Sequence, residues 1–188
     1  KLPDLSPNPF REREELVAAI RDRLAPRGGR PTVAITDEFV LKGLLPFFAT
    51  FIHELGLDLT FFSGADQAVL KRGIEDANVP FCAPMQQYHG LVSKMSESDA
   101  DFVFLPMMRH IPRIADEPWA RLCPIIQGSA DMLRWDLGQE LADRLVSPVI
   151  NIGEGNLRSE IFLASCADLA ARLGVEPDGW QDAYESAL

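Results

Sequence analysis

Apolar residues recur along the chain in two rhythms, one of helices and one of buried strands. From Phe10 to Leu24, the residues Leu16, Val17, Ile20 and Leu24 keep the spacing of one helix face, and Ala25-Pro-Arg-Gly-Gly ends it. Thr32-Val-Ala-Ile-Thr is short, β-branched and apolar, the pattern of a strand buried on both faces. Leu44 to Leu55 reads as a helix stopped by Gly56, and Leu57-Asp-Leu-Thr-Phe-Phe as the second strand. After the turn Ser63-Gly-Ala-Asp comes a short helix to Arg72, with Gly73 at its end. Pro84 suits the first turn of a helix running to about Glu97, with Tyr88, Leu91, Val92 and Met95 inward. Asp101-Phe-Val-Phe-Leu is the third strand, closed by Pro106, and an irregular segment covers Met107 to Trp119. Leu122-Cys-Pro-Ile-Ile is either a fourth strand or a strand end passing into a helix with Met132 and Leu133. Ser147-Pro-Val-Ile-Asn-Ile is a further strand. Asn156 to Leu173 is a helix burying Ile161, Phe162, Leu169 and Leu173, and Asp178 caps a closing helix to Ala187.

Strands alternating with helices imply a parallel sheet with crossover connections. The expected fold is α/β, a flavodoxin/Rossmann-like three-layer domain over residues 32–188. Residues 1–31 supply a linker and an N-terminal helical arm. In such sheets ligands bind outside the carboxyl ends of the strands. Cys82 and Cys123 both fall where their loops can reach that rim.

The 188 residues suit one domain with a full core. The start at Lys1, without an apolar signal core, predicts an excised domain whose site partners lie partly elsewhere. No apolar run approaches a membrane span, so no membrane partner is expected. A formal net charge of −10 disfavours nucleic acid. Arg11, Arg13, Arg21 and Arg23 alternate with acids and read as a solvated helix face. Three widely spaced cysteines imply no disulfide framework and point to a reducing cytoplasm.

The chemistry concentrates in Val79-Pro-Phe-Cys-Ala-Pro and Cys123-Pro124. A cysteine at a helix start meets orphan N–H groups that favour the thiolate, the form that binds metal or attacks. A cysteine followed closely by proline also occurs at iron–sulfur ligands. The competing reading makes both small buried apolar residues. Two thiolates are too few for a zinc or cluster site, which takes four ligands; His89 and His110 are possible supplements, though no compact zinc motif is present. Cys166 is assigned to the core. His53 reads as a surface or capping histidine, and Asp37 and Glu38 as rim residues that cap a helix or serve a polar role. Gly153-Glu-Gly-Asn is a plain turn or a weak anion cradle. No phosphate-binding loop, Gly-x-Ser-x-Gly elbow or His-Glu-x-x-His helix occurs.

These elements together resemble a known family. Val33-Ala-Ile-Thr, Leu44-Leu-Pro-Phe-Phe with Glu54-Leu-Gly, Val79-Pro-Phe-Cys-Ala-Pro with His89-Gly, and Asp101-Phe-Val-Phe-Leu-Pro match in order. They are similar to the uncharacterised domain of acyl-CoA dehydratase activase-related proteins, relatives of 2-hydroxyglutaryl-CoA dehydratase and its activator. Cys123-Pro continues the pattern. The resemblance covers roughly half to two thirds of the chain. It implies a [4Fe–4S] cluster on a flavodoxin-like domain, with Cys82 and Cys123 as the first two ligands. The third would come from a later domain, since Cys166 does not match it, so the isolated domain is expected without a complete cluster. The implied partners are other domains of a longer chain or a dehydratase-like protein, and any ATP-driven step belongs elsewhere. The domain alone is expected to be non-catalytic. Two other readings stand beside this one: a scaffold or interaction domain with buried thiols, and a small-molecule-binding α/β domain.

Overall fold

A computed structural model of the chain describes residues 6–115, 117 and 120–188. The first five residues of the expected linker lie outside the described residues, as do Asp116, Pro118 and Trp119 of the irregular segment. The strands are β1 (Thr32–Thr36), β2 (Asp58–Phe62), β3 (Phe102–Phe104), β4 (Met107–Met108), β5 (Leu145–Val146) and β6 (Val149–Ile150). The helices are α1 (Pro9–Arg23), α2 (Leu45–Glu54), α3 (Gln67–Asp76), α4 (Ala83–Ser96), α5 (Pro124–Gln127), α6 (Ser129–Arg144), α7 (Glu160–Arg172) and α8 (Gln181–Ala187).

The main sheet is parallel, in the order β2-β1-β3-β5. Alternation along β1 and β3 sorts the layers, because successive side chains leave opposite faces. Val33, Ile35 and Phe104 join one core with residues of α1, α2, α7 and α8. Ala34, Val103 and Leu105 join a second core with residues of α4 and α6. The result is the expected three-layer α/β arrangement. The first face is heavily aromatic: the Phe48 ring lies 5.3 Å from Phe104 and the Phe47 ring 5.1 Å from Phe162. The chain leaves β1 toward β2 and later returns to β1's other side with β3. That reversal puts a topological switch point between β1 and β3, where ligands of such sheets bind.

β3 ends before Pro106, as expected, but pairing does not stop there: β4 and β6 form a separate two-stranded sheet in the same register as β3 and β5, in which Pro106 falls opposite Pro148. Proline has no N–H to give, and the donors to the neighbouring strand lie on either side of it. Leu105 N donates to Val146 O at 3.1 Å, Met107 N to Pro148 O at 2.9 Å and Arg109 N to Ile150 O at 3.1 Å. The pair of strands therefore runs on beyond the rim set by Thr36, through part of the stretch expected to be irregular.

Gly73 does not end its helix. α3 continues through it to Asp76, and Gly73 is where α3 crosses α4. A Cβ on Gly73 would sit 1.7 Å from Gln86 O, and one on Gly90 1.9 Å from Val69 O. Only two bare Cα positions let the backbones approach so closely. Successive contacts advance together along both helices. Gln87 Nε2 donates to Ala65 O (2.7 Å), and Ser93 Oγ to Asp76 Oδ2 (2.5 Å). The helices thus run the same way, and residues 77–82 return as an extended segment to start α4.

Other expectations also change. The segment at Leu122–Ile126 is no strand; proline at the first helical position starts the short α5 instead. Ile161 faces outward at 49 % exposure, because the buried stripe of α7 runs through Phe162, Ser165, Cys166 and Leu169. Ser159, not Asn156, opens α7, its hydroxyl accepting from Phe162 N. Trp180, not Asp178, precedes α8, with no side-chain cap. His53 is buried, because α2 is covered on nearly all sides. Arg13 is no solvated residue: its guanidinium reaches Lys42 O (3.1 Å) and Asp37 O (2.6 Å). Val17, Ile20 and Leu24 dock α1 on the first core, while Leu16 stays exposed.

Two predictions follow from these contacts. Gly90→Ala should lower stability by about 3 kcal/mol, the upper range for overpacking, read as a drop in the urea midpoint. Gly43→Ala is the control, since its Cβ meets nothing within 4 Å. Stability should also decline with acid in two stages. Burial, then Arg27, holds the His53 imidazole below its ordinary value. The unfolded state then takes the proton first, and stability falls below the unfolded value of about 6.5. Asp58 is pulled down by the Arg27 backbone N–H (2.9 Å) and Asp101 by that of Thr32 (2.8 Å). Their contribution is complete above about pH 4 and is lost as pH falls through their folded values. Urea midpoints against pH should lose part of the first stage in His53→Gln and part of the second in Asp101→Asn.

Candidate functional site

Cys82 and Cys123 occupy the same local geometry. Cys82 precedes α4 with φ −65° and ψ 152°, and Cys123 precedes α5 with φ −66° and ψ 156°. Each is the N-cap residue with a proline in the first turn behind it, and neither thiol caps its helix through its side chain. Their carbonyls accept instead: Gln86 N donates to Cys82 O at 3.0 Å and Gln127 N to Cys123 O at 3.1 Å. Both thiols are exposed, which removes the reading of them as buried apolar residues. Cys166 is buried in the first core as expected, and burial pushes its thiol up to about 12.

The α4–α6 contact puts the two helix starts at one end of the domain. Near the middle of both helices, His89 Nε2 lies 3.1 Å from Asp136 Oδ2, and Asn78 Nδ2 donates to Asp136 Oδ1 at 2.7 Å. At their far ends, Arg144 donates to Ser98 O and Ala100 O at 2.8 Å, and also to Ser96 O. The helices run the same way, so Cys82 and the start of α6 lie at the opposite end from Arg144. α5, headed by Cys123, joins α6 through Gly128 alone. Leu122 N donates to Arg109 O at 3.1 Å, which fixes Cys123 beside the strand extension past the rim.

His89 plays a different part from the thiols. It is fully buried, held by Asp136 between α4 and α6, and its Nδ1 has no partner among the described residues. Among the described residues no group of three or more His, Cys, Asp or Glu side chains is arranged to hold a metal ion. The two exposed thiols are therefore at most half of a four-ligand site.

Beside Cys82 the rim opens into a cleft of about 180 Å³, lined by Glu38, Phe39, Lys42, Ala65, Gln87 and Tyr88 among others. It lies at the ends of β1 and β2. Phe39 has φ +56°, an unusual conformation for a bulky residue, and its ring stacks on Tyr88 with centroids 4.5 Å apart. The Tyr88 hydroxyl is buried without a partner among the described residues, and burial pushes its phenol up. Lys42 Nζ and Glu38 Oε2 pair at 2.7 Å at the cleft. Asp37 is buried, with Arg13 on one carboxylate oxygen (3.4 Å), and Gly153–Asn156 forms a turn. Phe39, Tyr88 and Asp136 were not singled out by the sequence pattern as site residues. The Asp37–Glu38 position, just after β1, pointed to this part of the rim.

A model of the CoA enzyme activase uncharacterised domain (DUF2229) matches residues 32–188. The chain belongs to this family. The match spans every strand, both exposed cysteines and the rim cleft, and leaves α1 outside. No curated protein and no solved structure matches the chain. Among the described residues, no helix of this CoA enzyme activase domain is long and apolar enough to cross a membrane.

The exposure difference gives a direct expectation. In the native protein a thiol reagent should titrate two cysteines rapidly and the third only on unfolding. Cys82→Ala and Cys123→Ala should each remove one fast equivalent, and Cys166→Ala none, as followed by absorbance of the released chromophore.

Proposed function

We propose that this domain docks an iron–sulfur cluster in a redox system of the 2-hydroxyacyl-CoA dehydratase/activase kind. Cys82 and Cys123 present two thiolates to a [4Fe–4S] cluster. The remaining ligands come from another domain of a longer chain or from a dehydratase-like partner. The observation that carries this reading is the twin geometry: two exposed Cys-Pro-type helix starts on the carboxyl side of one parallel sheet. Membership in the CoA enzyme activase family supports the same redox context. The described residues do not fit a complete cluster by themselves, since four ligands are the usual number. Docking, not autonomous cluster binding, is what this chain's own residues support.

The test is anaerobic reconstitution of the 188-residue chain with iron, sulfide and excess glutathione, whose thiol can complete a ligand set. Wild type and Cys166→Ala should take up iron and sulfide in equal amounts and show the charge-transfer absorbance of a cubane. Cys82→Ala/Cys123→Ala should show neither. Equal iron and sulfide in wild type and the double variant would sink the proposal and leave a scaffold or interaction domain.

A further inference from the structure

The cleft of about 180 Å³ at the ends of β1 and β2 takes no part in cluster docking, yet three separate features of the chain converge on it. The first is backbone strain. Glu38 is extended (φ −101°, ψ 168°), and Phe39 then enters the left-handed region at φ +56°. A bulky residue keeps that conformation only where its surroundings impose it, and such residues cluster at ligand sites. Here the ring is held by its stack on Tyr88, with centroids 4.5 Å apart. The second is the Tyr88 hydroxyl. Tyr88 lines the cleft and is 2 % exposed, and its hydroxyl has no partner among the described residues. Helical side chains slant back toward the helix N-terminus, so this hydroxyl is directed to the start of α4 and the rim. Burial pushes the phenol up, so it remains a donor at pH 7. The third is the start of α4 itself. Cys82 makes no side-chain cap, and the N–H groups of Ala83 and Met85 in the first turn have no intrahelical partner. Pro84, from the same turn, lines the cleft.

The cleft carries both signs of charge in balance. Lys42 Nζ and Glu38 Oε2 pair at 2.7 Å at its edge, with Lys42 53 % and Glu38 22 % exposed. The neighbouring acids are engaged elsewhere: Asp66 accepts from Val69 N at 2.9 Å, and Asp37 faces Arg13 at 3.4 Å. From Ala83 to Gly90, α4 has no Asp, Glu, Lys or Arg. Gln87 Nε2 is taken by Ala65 O at 2.7 Å, which leaves its Oε1 as an acceptor. Donors are thus Lys42, Tyr88 and the α4 N–H groups, and acceptors are Glu38 and the Gln87 amide oxygen. A ligand of one sign satisfies one set and is opposed by the other. A phosphate dianion would meet a single lysine already neutralised by Glu38. A small zwitterion suits both sets at once.

We propose that this cleft binds a small α-amino acid with an apolar side chain. Its carboxylate is taken by Lys42, the Tyr88 hydroxyl and the start of α4, and its ammonium by Glu38 and Gln87 Oε1. Its side chain packs on Phe39 and Pro84. At about 180 Å³ the cleft is smaller than the roughly 300–1,000 Å³ of drug-sized sites, which limits the ligand to a short side chain. The Phe39 ring turns off Tyr88 as the ligand enters, exchanging a ring contact for a ligand contact and uncovering the hydroxyl. The site does not depend on either thiol carrying a cluster.

The test is calorimetric titration of the 188-residue chain with L-valine, 3-methylbutanoate (valine without its ammonium) and isobutylamine (valine without its carboxylate). One saturable site is expected for L-valine, about tenfold or more tighter than for either fragment. Tyr88→Phe should weaken valine binding by about tenfold and leave the melting temperature equal or higher, because the hydroxyl it removes has no partner among the described residues. That combination separates a ligand donor from a residue that only supports the fold. Glu38→Gln should weaken the binding of valine and not that of 3-methylbutanoate. Arg172→Ala, on α7 in the opposite layer, should bind as wild type. No saturable valine binding, 3-methylbutanoate as tight as valine, or Tyr88→Phe binding like wild type would overturn the proposal.

Discussion

The close crossing of α3 and α4 at Gly73 and Gly90 governs the geometry of the candidate site. Two helices that touch backbone to backbone and run the same way cannot be joined by a tight turn. The chain must travel back along their length, and residues 77–82 do so as an extended strand of loop. Cys82 ends that return, and its extended backbone becomes the N-cap of α4. A side chain at either glycine would push the helices apart and swing the start of α4 away from the ends of β1 and β2. The thiol's place at the rim is thus set by two residues that carry no chemistry of their own.

Cys123 reaches the same side of the molecule by a different route. The β3–β5 ladder persists past the opposed prolines as β4–β6, and a hairpin built on that extension hands the chain to α5. One cysteine is placed by helix–helix contact and the other by strand pairing. Asp136 and Arg144 tie the two systems together by fixing how α4 lies against α6. The buried His89 therefore serves the thiols without joining them: it sets the spacing of the helices that carry them.

Much of this was legible in the sequence. The strands carried runs of β-branched and apolar residues, the helices kept a regular stripe, and proline marked the starts of α4 and α5. Those signals are local, so the layers, the rim and the two cysteines followed from them. What failed was decided by tertiary partners. Gly73 has the composition of a helix stop and becomes a crossing point only because Gly90 lies opposite. Pro106 breaks most strands, and here pairing resumes because the donors to the neighbouring strand are Leu105, Met107 and Arg109, so that Pro106 takes no N–H from it. His53 was assigned a surface that α2, covered nearly all round, does not have.

Arg13 belongs to the stretch that precedes the family's matched region, yet its guanidinium ends at the rim, on the backbone and carboxylate of Asp37. The start of the family match at residue 32 is consequently not a physical boundary. A polypeptide trimmed there would keep the whole sheet and lose the counter-charge of a buried acid at the end of β1, along with the cover that Val17, Ile20 and Leu24 give the first core. Anything that tugs on α1, such as a neighbouring segment upstream, has a lever on the loop that carries Asp37, Glu38 and Phe39.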